Sequence, residues 1–169
     1  MRYINPFLGA VRLVLGTAAK MSNVTMGDPH LKDLRKDLSR VYCLTVYVPL
    51  SGRTEGAVSI RFTRAVAFGL YKALTTVTPR TVDANVIDAV QELASMIVGN
   101  AKAKFPELGT SIGAPRVVRA DPLTVQPVLV LPFDCGHGRF LIETKLAAAG
   151  AAGTAAPPTT TSPPARAAA

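Results

Sequence analysis

The chain has 169 residues, of which 49% are apolar and 18% charged, and its formal net charge is +8. Residues 147–169 consist of 11 Ala, 4 Pro, 4 Thr, 2 Gly, one Ser and one Arg, so they lack the large apolar side chains of a core. We therefore expect one folded domain over residues 1–146 and a disordered tail over 147–169. Without Arg166, 18 basic and 11 acidic residues leave +7 on the domain, which favours an acidic partner of any class.

Cysteine and histidine are too scarce for a disulfide framework or a zinc site. The chain has only Cys43, Cys135, His30 and His137, on separate segments. This usage is typical of a reduced, cytoplasmic protein. No 18-residue window is apolar and free of charge, and the run from Leu8 to Leu15 is split by Arg12, so we expect no membrane anchor and no signal peptide.

The first elements in chain order are a helix and a β-hairpin. Asn5-Pro6 is typical of a helix start, and the helix extends to about Lys20 with apolar residues at helical spacing, namely Phe7, Val11, Val14 and Leu15. Residues 22–38 fit a short amphipathic helix or an exposed strand equally well. From Val41 to Val48 the apolar period becomes two, and Ser51-Gly52 turns the chain into a second strand over 57–62, which predicts a hairpin.

Two helices and three strands follow. Thr63 caps a helix that carries Val66, Leu70 and Leu74 and ends before Pro79. Thr81 or Asp83 begins a helix of about 22 residues, whose apolar face is formed by Val86, Val90, Leu93, Ile97, Ala101 and Phe105.

Strands are predicted over 116–118, 128–133 and 140–146, and Pro127 and Pro132 place the middle one at a sheet edge or at strand ends. The order predicts an α+β domain with helices packed on an antiparallel or mixed sheet.

Most catalytic signatures are absent from the sequence. It contains no glycine-rich phosphate loop, no His-Glu-x-x-His, no Gly-x-Ser-x-Gly and no dinucleotide fingerprint. The Cys135-Gly-His137 sequence is interpreted as a surface turn and not as a thiolate pair, because residues two apart in a turn seldom converge. The sequence therefore offers no familiar nucleophile.

The long third helix carries an unusual polar stripe. Asp88, Glu92, Ser95 and Gly99 are spaced i, i+4, i+7 and i+11, on the side opposite the apolar face. A solvated helix face is the ordinary explanation of such a stripe. However, no lysine alternates with these carboxylates, and a helix-interior glycine costs about 1 kcal/mol relative to alanine. With Met96 at its edge, the stripe is a candidate docking surface.

The same helix carries a family resemblance. The segment Asp88-Ala-Val-Gln-Glu92-Leu-Ala-Ser95-Met-Ile-Val-Gly99-Asn100-Ala-Lys resembles the signature helix of the CheX-type chemotaxis phosphatases, approximately Asp-x-x-x-Glu-Leu-x-Asn-Met-Ile-x-Gly-Asn-x-Lys. The start of the first helix, the hairpin and the closing strands are also similar to that family. The resemblance covers about residues 2–145 and implies the CheX/CheC-like α+β fold, with long helices on a mostly antiparallel sheet.

The resemblance implies docking on a phosphorylated CheY-type response regulator and hydrolysis of its aspartyl phosphate. Glu92 would pair with the regulator's lysine, and Asp88, Met96 and Gly99 would lie in the contact surface. The chain would need no cofactor of its own, because the regulator would supply the Mg²⁺. The resemblance further implies a homodimer whose sheet continues across the subunit boundary.

The sequence departs from the family pattern at the catalytic position that would orient the attacking water. The family has Asn there, whereas this chain has Ser95, whose hydroxyl ends one atom nearer the backbone. A misplacement of about 1 Å can cost about 100-fold in rate. Asn100 lies too far around the helix to take over. Either the hydroxyl works with a second bridging water, or activity is much reduced.

Two functions therefore stay open from the sequence. One is a slow or specialised aspartyl-phosphate phosphatase, in chemotaxis or a related two-component pathway. The other is a weakened or inactive module that binds a response regulator without hydrolysing its phosphate. Nucleic-acid binding is not expected, because the arginines are dispersed and lack interleaved aromatic residues.

Overall fold

The computed structural model describes residues 4–33, 35, 41–105, 109–119, 122–125 and 127–148. The elements in chain order are α1 (Ile4–Thr17), β1 (Thr25–Met26), β2 (His30–Leu31), β3 (Leu44–Gly52), β4 (Thr54–Phe62), α2 (Arg64–Thr75), α3 (Ala84–Ala103), β5 (Thr110–Ile112), β6 (Arg116–Val118), β7 (Leu129–Asp134) and β8 (Arg139–Ala148). The predicted α+β class is confirmed.

Within the described part of the chain, the strands form one eight-stranded sheet in which the strand pairs are antiparallel. Its central order is β1-β7-β8-β4-β3-β5, with β2 also paired to β7 and β6 also paired to β3. The β3–β4 hairpin is in register from Leu44 opposite Phe62 to Leu50 opposite Gly56. The hairpin prediction is confirmed, although the strands extend through the predicted turn and reverse at Arg53.

One face of the sheet is covered by the helices, and α3 packs against both α1 and α2. The core between the helices and the sheet contains the apolar stripes predicted for the three helices, including Phe7, Val11, Leu70, Val90 and Ile97. Leu74 is an exception, because it is 38% exposed near the end of α2. Helical periodicity thus predicted most, but not all, of the buried helical residues.

The helix starts follow local capping chemistry. Asn5 lies inside the first turn of α1 and does not precede it, whereas Pro6 is tolerated in that turn because its missing amide would have no intrahelical partner. The Thr63 hydroxyl accepts a hydrogen bond from the Val66 amide at 3.4 Å, as predicted for the start of α2. Of the two N-cap candidates for α3, Asp83 takes the position.

Strand β7 is second from the edge of the sheet and Pro132 lies inside it, so Pro132 marks neither the edge strand nor the strand end that the sequence predicted. The two short strands β1 and β2 pair with its outer side, and the Pro132 carbonyl accepts from the Gly27 amide at 2.9 Å. A residue's carbonyl and amide point to the same side of a strand, so the missing Pro132 donor faces the short strands and not β8. Pro132 therefore removes no bond from the β7–β8 ladder.

The other face of the sheet is also covered. Leu123 and Val128 pack on Ala57 there, and a buried ionic cluster lies beside them. Within that cluster the Glu143 carboxylate is 3.0 Å from Lys32 Nζ and 3.0 Å from Arg61 Nε. Lys32 Nζ also donates to the Leu123 carbonyl at 3.0 Å. These contacts join four segments that are distant in sequence.

Two predicted regions lie partly outside the described residues. In the ambiguous segment 22–38, the described part contains the short strands β1 and β2, while residues 34 and 36–38 lie outside the described residues. Strand β8 includes 147 and 148, which the sequence assigned to the tail. The rest of the predicted tail lies outside the described residues.

Candidate functional site

Helix α3 displays the predicted stripe on its outer side. Its N-cap carboxylate, Asp83 Oδ1, accepts from the Val86 amide at 3.0 Å, and Val86, Val90, Leu93, Ile97 and Ala101 are buried on the inner side. On the outer side Asp88, Glu92 and Met96 are exposed, while Ser95 and Gly99 are partly exposed. All five predicted site residues are therefore brought to one accessible helix surface, which we call the α3 stripe.

The two carboxylates of the α3 stripe are available to a partner. Neither Asp88 nor Glu92 forms an ion pair within the described ranges. They lie one helical turn apart on an exposed surface. Because like charges one turn apart repel, the pair favours the approach of a cation.

Ser95 is oriented by its own helix. Its Oγ donates to the Gln91 carbonyl at 2.8 Å, so the hydroxyl hydrogen is used internally. A hydroxyl oxygen has two acceptor lone pairs, and these stay available to an external donor such as water. Asn100 also turns back on the helix, because its Nδ2 donates to the Met96 carbonyl at 2.8 Å.

Gly99 gives the α3 stripe a bare turn. A Cβ placed on Gly99 would meet nothing within 4 Å, so no neighbouring segment among the described residues requires glycine there. Gly69, inside α2, is different: a Cβ on it would lie 2.5 Å from the His137 ring. Met96, which is 38% exposed, adds apolar surface beside the bare turn.

One supporting residue was missed by the sequence analysis. Gln91 Nε2 donates to the Pro115 carbonyl at 3.2 Å and so links α3 to the segment before β6. The same residue supplies the carbonyl that holds Ser95. No local signal marks Gln91, because its partner lies 24 residues further along the chain.

The Cys135-Gly-His137 turn is not a nucleophilic pair. Cys135 is buried and its thiol donates to the Gly138 carbonyl at 3.6 Å, whereas His137 is exposed and lies against α2. Burial raises the pKa of the Cys135 thiol, which opposes thiolate formation. This geometry agrees with the surface-turn interpretation.

In the described part of the chain, no group of three or more His, Cys, Asp or Glu side chains is arranged to hold a metal ion. None of the described helices is both long and apolar enough to cross a bilayer. The α3 stripe presents two carboxylates, one hydroxyl, the Met96 side chain and the bare turn at Gly99.

The family model described as "Chemotaxis phosphatase CheX" matches residues 44–134, which is more than half of the chain and includes all of α3. The chain belongs to the CheX family. No functionally curated protein matches the sequence.

Solved CheX structures share the fold. A chemotaxis protein CheX from Desulfovibrio desulfuricans is 28% identical, with a TM-score of 0.72 over 87% of this chain and 100% of that chain. The CheX from Vibrio vulnificus is 24% identical, with a TM-score of 0.74 over the same shares. The fold is also that of CheX in a CheX–CheY–BeF₃–Mg²⁺ complex from Borrelia burgdorferi, at 22% identity, a TM-score of 0.70, and 85% and 97% coverage.

Proposed function

We propose that this CheX-family chain docks through the α3 stripe on a phosphorylated CheY-type response regulator and accelerates hydrolysis of its aspartyl phosphate, in chemotaxis or a related two-component pathway. The observation that carries the proposal is the exposure of Asp88, Glu92, Ser95 and Gly99 along one side of the family's signature helix. The Borrelia burgdorferi CheX, which shares the fold, was solved together with CheY. We expect the protein to act in the cytoplasm, where response regulators are found.

The reaction needs positioning more than covalent chemistry. Water attacks phosphorus, the bond between phosphorus and the aspartyl oxygen breaks, and the products are inorganic phosphate and the free carboxylate. Mg²⁺, which the regulator supplies in this proposal, neutralises charge on the phosphoryl oxygens. The contribution of the CheX-family chain is then to orient the water and to fix the regulator's lysine.

Glu92 is proposed as the catalytic group that pairs with this lysine. Its carboxylate is exposed, and no ion pair within the described residues has to be broken before docking. A charge-assisted hydrogen bond to an ammonium group is stronger than a neutral one, particularly where docking excludes water. Asp88, Met96 and Gly99 are proposed as contact residues around this pair.

Ser95 is proposed as the residue that orients the attacking water. A nucleophilic water must direct a lone pair at phosphorus, so its hydrogens need acceptors. Because the Ser95 hydrogen is donated to the Gln91 carbonyl, the outward side of Oγ is an acceptor. The hydroxyl is shorter than the carboxamide of the family pattern, so we expect a slow enzyme in which a second water bridges the gap.

A binding module without catalysis is the second candidate function. The same Ser95–Gln91 hydrogen bond favours it, because it holds the hydroxyl close to the helix and away from a docked phosphoryl group. Such a protein would sequester or localise the regulator. The docking surface would be unchanged in this case.

A phosphate-release assay on a phosphorylated CheY-type regulator separates the two candidates. If the protein is an enzyme, the wild-type chain makes phosphate release faster than the regulator's own dephosphorylation. Ser95→Ala and Glu92→Gln should each lower this added rate about 10- to 100-fold, and Ser95→Asn should raise it. Glu55→Gln is the matched control, because Glu55 is also exposed and forms no ion pair within the described chain. Binding without any wild-type rate increase would establish the module, and no effect of either loss variant would refute the catalytic roles.

A further inference from the structure

The amino-terminal end of α2 carries a cation in an electrostatically unfavourable place. Arg64 is the first residue of the helix after the cap Thr63, and the first turn contains no acidic residue. The helix macrodipole is positive at this end, so an arginine here is repelled where a carboxylate would be stabilised. Local helix stability therefore does not explain the choice of Arg64.

The Arg64 side chain is nevertheless held in a defined position. Its Nη2 donates to the Arg80 carbonyl at 3.0 Å, and its guanidinium lies 5.0 Å from the centre of the Phe68 ring. Arg64 and Arg80 are both exposed, and neither is paired with a carboxylate within the described ranges. The Arg64 side chain is thus held against the main chain of Arg80, and we call these two exposed residues, whose charges no described carboxylate neutralises, the arginine pair.

This arginine pair lies near the acidic end of the α3 stripe. Helix α2 packs against α3, and Arg80 precedes the α3 cap Asp83 by three residues. Asp88, the first carboxylate of the stripe, is on the second turn of the same helix. Arg64 and the Arg80 main chain are therefore placed near the amino-terminal end of α3, the helix that carries Asp88 and Glu92.

We infer that Arg64 and Arg80 form an anion-recognising part of the docking surface, which receives carboxylates of the response regulator beside its phosphorylated aspartate. This inference rests on the proposed function, because it assigns a further contact to the same complex. A regulator pocket that carries a phosphoaspartate, metal-binding carboxylates and a lysine presents both signs of charge. The arginine pair complements its acidic part, and Glu92 complements its lysine.

The mixed charge of the surface favours a protein partner over a nucleic acid. A nucleic-acid backbone is uniformly negative, so Asp88 and Glu92 would repel it beside the arginines. Planar guanidinium groups suit carboxylates, since they offer two parallel donors. The half-buried Phe68 ring already holds the Arg64 side chain in place, so Arg64 loses less conformational entropy when it binds a partner.

Association kinetics test the arginine pair. The probe is a fluorescently labelled CheY-type regulator activated with beryllium fluoride and Mg²⁺, mixed with the full chain at about 50 and 300 mM salt. We expect Arg64→Gln and Arg80→Gln each to slow association about three- to tenfold at low salt and to weaken the salt dependence. Arg53→Gln is the matched control, because Arg53 is exposed at the β3–β4 turn and the variant changes the net charge equally.

The outcomes distinguish this inference from the proposed function. If the wild-type chain binds but Arg64→Gln, Arg80→Gln and Arg53→Gln have the same association rate and salt dependence, the role of the arginine pair in docking is refuted. The docking proposal itself then stands. If the wild-type chain does not bind the activated regulator, both proposals are overturned. If a labelled DNA duplex binds as tightly and loses affinity in the same two variants, the acidic protein partner is refuted in favour of nucleic acid.

Discussion

The helix-interior glycines Gly69 and Gly99 have contrasting surroundings. Gly69 is packed against the His137 ring, whereas a Cβ on Gly99 would meet no atom of the described residues within 4 Å. Since alanine is the better helix former, we predict that Gly99→Ala raises the free energy of unfolding by about 0.5–1 kcal/mol. If a partner approaches this bare turn, the same variant should bind the activated regulator about tenfold more weakly, or by about 1.4 kcal/mol. Urea unfolding and fluorescence titration measure the two effects.

Gly69→Ala is the control for the Gly99→Ala prediction. The added methyl group would collide with His137, so this variant should show no gain in stability. Adding His137→Ala to it should recover part of the gain. If Gly99→Ala is more stable than the wild-type chain and binds the regulator as tightly, Gly99 is not part of the docking surface.

At the scale of the element, α3 depends on its cap at Asp83. The Asp83 carboxylate accepts the Val86 amide, one of the four amides that a helix start leaves without a backbone partner. We predict that Asp83→Ala lowers the free energy of unfolding by about 1 kcal/mol, whereas Asp83→Asn, which keeps the acceptor, changes it by only a few tenths. Chemical denaturation measures both variants. Equal stability of Asp83→Ala and Asp83→Asn would contradict the capping role.

At the scale of the whole molecule, the buried Glu143 connects segments that are distant in sequence. It is fully buried between Lys32 and Arg61, and Lys32 also holds the Leu123 carbonyl. We predict that Glu143→Gln lowers the free energy of unfolding by about 3–5 kcal/mol, because it removes the negative charge between two buried cations.

Denaturant unfolding of Glu143→Gln beside Glu55→Gln checks this prediction. Glu55 is exposed on β4, so its variant should stay within about 0.5 kcal/mol of the wild-type chain. A loss below about 1 kcal/mol for Glu143→Gln would mean that the ionic cluster contributes little net stability.

The secondary structure was predictable where its pattern is local and long enough to repeat. The apolar faces of α1 and α3, the caps Thr63 and Asp83 and the β3–β4 hairpin follow from residues a few positions apart. Strand β5 was missed, and β1 and β2 lie in the segment left open between a short helix and an exposed strand; each has only two or three residues. Such segments show no period of two, and they become strands only because β7 or β3 offers a free edge.

The candidate site was predictable because it lies on a single helix. The spacing of Asp88, Glu92, Ser95 and Gly99 places them on one side of any regular α-helix. Two other contacts were not predictable: Gln91 bonds to the Pro115 carbonyl, and Arg64 bonds to the Arg80 carbonyl. Both contacts join a helix to a segment outside the helices and strands, and no local periodicity encodes them.

By itself the sequence determined the α+β class, the inner and outer sides of α3 and the resemblance to the CheX family, since helix geometry and motif spacing are properties of neighbouring residues. Only the tertiary structure decided that the polar side of the sheet is covered. Along β4 the sequence alternates polar and apolar side chains, yet Ser59 and Arg61 are as buried as Val58 and Ile60. The reason is that Lys32 and Glu143, 111 residues apart, meet over that face, and local sequence does not specify which distant segment packs on a strand.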